Sequence, residues 1–198
     1  MKKYNNISKL ENLAVKKFGK QLLYPPFEKI KTLEVTNFPA LGKITSLRFI
    51  EWLQLNKEGV ISLPTGKTPE HFIKWSNYFL SNWNKKEVAK KLESWQIDIN
   101  DKPDMKSYWF VQLDEFFPMD PTRENSFNHY IKNFYIKSFK LDSKKCLLMD
   151  TWTKGTTKDN NLGDIFPDGK ADLSLRHRNP KNELESLQQK AIYNMDSF

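Results

Sequence analysis

Hydrophobic residues recur every three or four positions in six stretches of the chain, and this spacing predicts six helices. The stretches cover residues 9–18, 39–57, 70–79, 85–95, 126–134 and 183–196. Three short apolar runs lie between them and predict buried strands, because Gly, Pro or polar residues bound each run. These runs cover residues 60–63, 108–113 and 146–150.

The alternation of strands and helices predicts an α/β fold in which a parallel sheet lies between two layers of helices. We therefore expect a three-layer, Rossmann-like domain. In such sheets, ligands bind beyond the carboxyl ends of the strands. Two polar segments occupy such ends: the turn 64–69 after the first strand, and the pair Asp114-Glu115 after the second. The topology therefore makes these two segments the candidate site.

The turn 64–69 contains the run Thr65-Gly66-Lys67-Thr68 and leads into a helix. The triplet Gly66-Lys67-Thr68 resembles the end of a P-loop, but the first glycine of the P-loop pattern is missing. A tight glycine turn into a helix presents free N–H groups and the positive end of the helix dipole to an anion. Thr65 and Thr68 add hydroxyl donors, and Lys67 adds positive charge. A phosphate site and an ordinary turn, with Thr68 as the N-cap and Pro69 in the first helical position, both remain open.

Three further residues near this edge are candidates for chemistry. Asp114 and Glu115 directly follow the second predicted strand, where a carboxylate could transfer a proton or simply begin a solvated loop. His71 lies on the helix after the turn, close to the expected pocket. No two of the three histidines have the spacing of a metal site, so no metal is expected.

Composition narrows the class of protein. The chain has 198 residues, of which 38% are hydrophobic, and its single cysteine excludes an internal disulfide. The net charge of +8 comes from scattered lysines, which favours a solvated surface or a small anionic ligand over nucleic acid. No apolar run is long enough to span a bilayer, and no signal-peptide core follows the basic N-terminus. We therefore expect a cytoplasmic protein.

Three segments of the chain form a combined motif. They are Leu63-Pro64-Thr65-Gly66-Lys67-Thr68-Pro69, then Leu113-Asp114-Glu115-Phe116, then the helix from Asn125-Ser126-Phe127 to Asn133-Phe134-Tyr135. Together they resemble the glucosamine-6-phosphate deaminase (isomerase) family over residues 39–150. The chain is accordingly interpreted as one incomplete domain, with an N-terminal extension over 1–38, an irregular insertion over 151–182 and a helix over 183–198.

The resemblance implies a cytoplasmic enzyme of sugar-phosphate metabolism that needs no metal or organic cofactor. In that family the Thr-Gly-x-Thr-Pro turn lies in the sugar-phosphate site. This turn corresponds to Thr65, Gly66, Lys67 and Thr68, with Lys67 in place of a small residue. A long side chain there would crowd the pocket or add a phosphate contact.

The second motif implies the chemistry of that family. Its aspartate, which corresponds to Asp114, moves a proton between C1 and C2 of the open-chain sugar. The resulting imine at C2 is hydrolysed by water, which yields fructose 6-phosphate and ammonia. Glu115 and His71 are expected to support this step from nearby.

The chain also departs from the family in its C-terminal half, where the lysine and arginine that the family contributes are missing. It lacks the later Asp-Gly-His-Ile-x-x-Asn-Glu segment that carries the ring-opening histidine, and Asp168-Gly169-Lys170 is interpreted as a turn. We therefore expect the N-terminal part of a longer enzyme or a degenerate relative. A 6-phosphogluconolactonase-like hydrolase and a non-catalytic sugar-phosphate-binding domain stay open as alternatives. The expected partner is a small sugar phosphate; a second copy of the chain is left open, and nucleic acid and membranes are not expected.

Overall fold

A computed structural model describes residues 8–18, 32–150 and 160–197 of the chain. Its centre is a parallel sheet of three strands in the order β1-β2-β3. The strands are β1 (Val60–Ile61), β2 (Trp109–Val111) and β3 (Cys146–Leu147). All three predicted strands are therefore present, each shorter than the apolar run that predicts it, and the α/β class is confirmed.

Helices connect and follow the strands, as the periodicity predicts. They are α1 (Lys9–Phe18), α2 (Phe38–Leu55), α3 (Glu70–Ser81), α4 (Lys86–Glu93), α5 (Phe127–Ile131), α6 (Lys137–Phe139), α7 (Leu162–Ile165) and α8 (Glu183–Asp196). A π-helical turn, Lys132–Ile136, joins α5 to α6. Short 3-10 turns lie at Met105–Ser107, Ser143–Lys145 and Leu173–Arg176.

The two faces of the sheet differ in burial. Ile61 and Phe110 lie on one face and are buried in a core cluster to which α2, α3 and α5 also contribute. On the opposite face Val60, Trp109 and Leu147 are 61%, 42% and 50% exposed. The described residues therefore form two layers and not the expected three, because helices cover one face of the sheet only.

The helical stretch after β2 buries Ile131 on the face that its sequence predicts, but it departs from the prediction at Phe134 and Tyr135. The pattern places Phe134 in the core, but Phe134 is 48% exposed, whereas Tyr135 is fully buried. The cause is the π-helical turn, which adds a residue to the turn and so rotates the side chains that follow it. The sequence allows Asn125 or Ser126 as the cap of α5, and Ser126 is the one observed, since its side chain accepts a hydrogen bond from the backbone amide of His129.

A second core cluster consists of helices alone. It joins α1, α2, α3 and α4, and Leu10 and Ala14 of α1 are buried in it. Arg48 of α2 pairs with Glu11 at 3.0 Å and with Glu51 at 3.1 Å. Within the predicted N-terminal extension, α1 is thus packed on α2.

The C-terminal part forms a third, smaller core cluster. Ile165 of α7 and Ile192 of α8 are both buried there. Within the predicted irregular segment, residues 160–182 contain α7 and a 3-10 turn, and residues 151–159 lie outside the described residues. Leu184 at the start of α8 is 41% exposed.

An ion-pair cluster around Arg178 links the 3-10 turn to α8. Arg178 donates to Glu185 at 2.6 and 3.0 Å and to Asp172 at 2.8 Å. Hydrogen bonds from its guanidinium lower the pKa of both carboxyls to about 2, from ordinary values of 4.5 for Glu185 and 3.8 for Asp172. The stability that a lowered carboxyl pKa contributes is present above the ordinary value and is lost as pH falls toward the folded value.

We expect Arg178→Met to lower the thermal unfolding temperature near neutral pH, and the difference from the parent chain to shrink as pH falls from about 4.5 to about 2. The reason is that protonation of the two carboxyls removes the same interaction that the substitution removes. Thermal unfolding followed by circular dichroism across this window measures the difference. A difference that is constant across the window would show that the ion pairs do not stabilise this part of the chain.

Candidate active site at the sheet edge

The turn between β1 and α3 is shaped by one glycine. Gly66 has a φ of +95°, in a region that side-chain-bearing residues rarely adopt, and no atom lies within 4 Å of where its Cβ would be. The prediction of Thr68 as N-cap is wrong, since Pro69 occupies that position and no side chain caps the helix. The first amides of α3 are consequently not covered by a side-chain oxygen of a capping residue.

Two tyrosines hold this turn in place. The hydroxyl of Tyr130 donates to the carbonyl oxygen of Gly66 at 2.8 Å, and that of Tyr135 donates to the carbonyl oxygen of Pro64 at 2.5 Å. Burial raises the pKa of both phenols, so both remain protonated donors at neutral pH. Sequence analysis missed both contacts, because nothing in a helical pattern indicates which carbonyl a tyrosine hydroxyl reaches.

A second glycine allows α2 to approach the start of α3. A Cβ on Gly42 would lie 2.4 Å from the Cβ of His71 and 2.6 Å from its carbonyl carbon. His71 is half-buried there. His71 thus lies on α3 directly after the turn, with its Cβ and backbone packed against α2.

The threonines of the turn line a cleft. Thr65 and Thr68 form part of its wall, and the cavity has a volume of about 650 Å³. The other walls are mostly apolar and come from α2, including Phe38, Leu41 and Trp52. Neither Asp114 nor Glu115 is among the described residues that line this cleft.

Asp114 lies at the same edge of the sheet as the turn. The parallel register pairs Ile61 with Phe110, so the chain leaves β1 and β2 in the same direction and at the same edge. Asp114 is exposed, and its carbonyl oxygen accepts a hydrogen bond of 2.8 Å from the side chain of Gln112. In the part of the chain that the structure describes, no side chain pairs with its carboxylate, which is therefore open to a ligand.

Glu115 has a role that sequence analysis did not assign. Its carboxylate accepts hydrogen bonds from the Ser126 hydroxyl at 2.8 Å and from the backbone amides of Phe127 and Asn128 at 3.0 and 2.8 Å. These donors form the N-terminus of α5. The Glu115 carboxylate thus satisfies amides that the helix itself leaves free, and its negative charge favours the positive end of the helix dipole.

The side-chain amides of Gln112 and Asn128 are buried at this edge of the sheet. Gln112 accepts a 2.9 Å hydrogen bond from the backbone amide of Met149, and Asn128 donates to the Met149 carbonyl at 3.1 Å. Both side chains are 2% exposed or less. The Oδ1 atom of Asn128 has no partner among the described residues, which leaves an unused acceptor inside the edge. Neither amide belongs to a pattern that a sequence could reveal.

The described residues hold no group of three or more His, Cys, Asp or Glu side chains that could bind a metal. Burial raises the pKa of the Cys146 thiol, which lies in β3 away from the turn. None of the described helices combines the length and apolarity needed to cross a membrane.

Comparison with known proteins gives one structural likeness. No protein-family model matches the chain, and no curated protein matches it by sequence. Among solved structures, that of a monomeric glucosamine-6-phosphate deaminase of the NagB superfamily aligns with 60% of this chain at 15% identity and a TM-score of 0.48. The aligned part spans 42% of that protein's length.

Proposed function

We propose that this chain binds a phosphorylated amino sugar at the sheet edge and isomerises it in the manner of a glucosamine-6-phosphate deaminase. The observation that carries the proposal is the parallel register, which brings the glycine turn after β1 and the open carboxylate after β2 to one edge. Beyond the strand ends is where parallel α/β sheets bind ligands.

The phosphate is assigned to the turn 65–68. The positive end of the α3 dipole and the hydroxyls of Thr65 and Thr68 suit a dianion. The two tyrosine hydroxyls donate to carbonyl oxygens of the turn and so hold its backbone in place. Lys67 is exposed and adds positive charge at the rim.

The proton transfer is assigned to Asp114. In the open-chain form of glucosamine 6-phosphate, its carboxylate removes the proton from C2, and the electron pair forms a double bond between C1 and C2. The π bond between C1 and its oxygen opens at the same time, and that oxygen takes a proton from water to give an enolamine. The proton then returns to C1, which leaves an imine at C2. Water adds to that imine and expels ammonia, so the products are fructose 6-phosphate and ammonia. A positioned carboxylate typically accelerates such a step by about 10² to 10⁴-fold.

The reaction is tested by incubating the chain with glucosamine 6-phosphate in deuterated water. We expect ammonia to be released and deuterium to appear at C1 of the fructose 6-phosphate, because the proton removed from C2 exchanges with solvent on the carboxylate. Ammonia assay and mass spectrometry measure the two products. Absence of both would contradict the isomerisation and leave binding alone.

Lys67→Ala is expected to weaken sugar-phosphate binding about threefold without unfolding the chain, because an exposed charge pair contributes less than about 1 kcal/mol. Calorimetric titration with glucosamine 6-phosphate measures the change. Lys74→Ala is the matched control, since Lys74 is an exposed lysine on α3 that pairs with Glu70. Equal affinities of the parent chain and Lys67→Ala would mean that Lys67 points away from the ligand.

Non-catalytic sugar-phosphate binding is the second candidate. The observation that favours it is that the carboxylate beside Asp114, that of Glu115, is used to cap α5. Glu115 is therefore not free to share the proton with Asp114. Binding of glucosamine 6-phosphate without release of ammonia would select this alternative.

A further inference from the structure

The two halves of the candidate site are joined by one continuous helical stretch. At its beginning, Glu115 accepts hydrogen bonds from the Ser126 hydroxyl and from two backbone amides. Within its next ten residues, Tyr130 and Tyr135 donate to the carbonyl oxygens of Gly66 and Pro64. The residue next to Asp114 and the turn after β1 are therefore connected through α5 and the π-helical turn.

We propose that Glu115 is a positioning residue, which fixes the start of α5 and thereby holds the turn 64–68 in place through Tyr130 and Tyr135. The significance of that turn as a phosphate site rests on the proposed function, but the mechanical connection does not. Glu115 lies beside Asp114 in the chain, so the same residue sets the position of both halves of the site.

The negative charge of Glu115 strengthens the hydrogen bonds that it accepts from the start of α5. Hydrogen bonds to a charged group are about twice as strong as those between neutral groups. Three of the bonds that Glu115 accepts come from consecutive residues of one helix start, so together they fix both the direction and the register of α5. The carboxylate oxygens are occupied by these donors, which separates its role from the proton transfer assigned to Asp114.

Helix geometry explains why the positions of Tyr130 and Tyr135 depend on the start of α5. Each residue of an α-helix advances the chain by about 1.5 Å, so a register change of a single residue at Ser126 moves the tyrosines by about that distance. A hydrogen bond of 2.5 to 2.8 Å, as these two are, does not survive a displacement of this size. The π-helical turn adds to this dependence because it aligns Tyr135 with the buried Ile131 and turns Phe134 outward.

The connection is tested by nuclear magnetic resonance on the free protein, with the backbone amide signals of Gly66 and Lys67 as the readout. We expect Glu115→Gln, Tyr130→Phe and Tyr135→Phe to shift these two signals in the same direction, because all three release the same turn. Glutamine keeps one acceptor oxygen and replaces the other with an amide nitrogen, so at least one donor at the start of α5 loses its acceptor. Glu115→Gln should therefore also shift the Phe127 and Asn128 signals.

Two matched control substitutions test whether the shift of the Gly66 signal is specific to Glu115 and the two tyrosines. Glu124→Gln removes an exposed charge from the loop before α5, and Tyr193→Phe removes a hydroxyl that bonds the Arg176 carbonyl at 3.3 Å in the C-terminal cluster. Neither control should move the Gly66 signal. If Glu115→Gln moved only Phe127 and Asn128, Glu115 would cap α5 and nothing more, and the proposal would be wrong.

A variant that fails to fold does not end the test. Tyr130→Phe removes a single oxygen and keeps the charged cap. It should shift the signal of Gly66, which loses its hydrogen bond. It should also shift the signal of Phe127, because the connection acts along the helix from the turn back to the start of α5. No shift at Phe127 would contradict the connection. Inorganic phosphate is then titrated into the same samples: variants that shift Gly66 should bind it about three- to tenfold more weakly. If the parent chain binds no phosphate while the signals still shift together, the proposed function fails and the positioning role stands.

Discussion

Gly42→Val is expected to lower the free energy of unfolding by more than about 3 kcal/mol, because it forces α2 away from the start of α3. A Cβ at this position would lie 2.6 Å from the carbonyl carbon of His71 and 2.7 Å from the backbone nitrogen of Phe72. Backbone atoms cannot rotate out of the way as the end of a flexible side chain can. The helices must therefore separate, and the core packing between them is lost.

Urea unfolding followed by tryptophan fluorescence measures this change. Thr45→Val is the matched control, since it introduces the same side chain at an exposed position of the same helix. We expect the control to stay within about 0.5 kcal/mol of the parent chain. A Gly42→Val chain as stable as the control would mean that α2 does not pack against α3 at this distance.

Asp114→Asn is expected to reduce isomerisation of glucosamine 6-phosphate by about 10² to 10⁴-fold, because an amide cannot accept the proton from C2. Binding of inorganic phosphate should stay nearly unchanged, since the phosphate is assigned to the turn after β1 and not to Asp114. Ammonia release measures the first effect and calorimetric titration the second.

The control for this substitution is Asp168→Asn, which removes a carboxylate from an exposed turn far along the chain. It should change neither the rate of ammonia release nor the affinity for inorganic phosphate. A parallel loss of activity and phosphate binding in Asp114→Asn would overturn the separation of roles between the two segments.

The sequence predicts the strands and the turn because their signals are local. Val60 and Ile61 are β-branched and stand between a glycine and a proline, and Gly66 marks a turn that only glycine adopts easily. Once the strands are parallel, the meeting of the two polar segments at one edge follows from topology alone. The α/β class and the candidate site edge could therefore be derived without coordinates.

What the sequence does not predict depends on contacts between distant residues. The role of Glu115 as a cap arises only because the loop after β2 folds back and brings the start of α5 against its carboxylate. The burial of Tyr135 in place of Phe134 depends on a π-helical turn, which interrupts the regular spacing on which the pattern relies. In the described ranges, no helix covers the second face of the sheet. The apolar run around Trp109 indicates a strand, but an apolar side chain alone does not specify what covers it.

The most direct test of the proposed function is a thermal-shift titration of the chain with glucosamine 6-phosphate, with glucosamine and inorganic phosphate as controls. A ligand that binds the native state raises the unfolding temperature as its concentration increases. We predict a rise with glucosamine 6-phosphate, a smaller rise with phosphate and none with glucosamine, because the turn 65–68 binds the phosphate group. An unfolding temperature that glucosamine 6-phosphate leaves unchanged at millimolar concentration would contradict a sugar-phosphate site at this edge of the sheet.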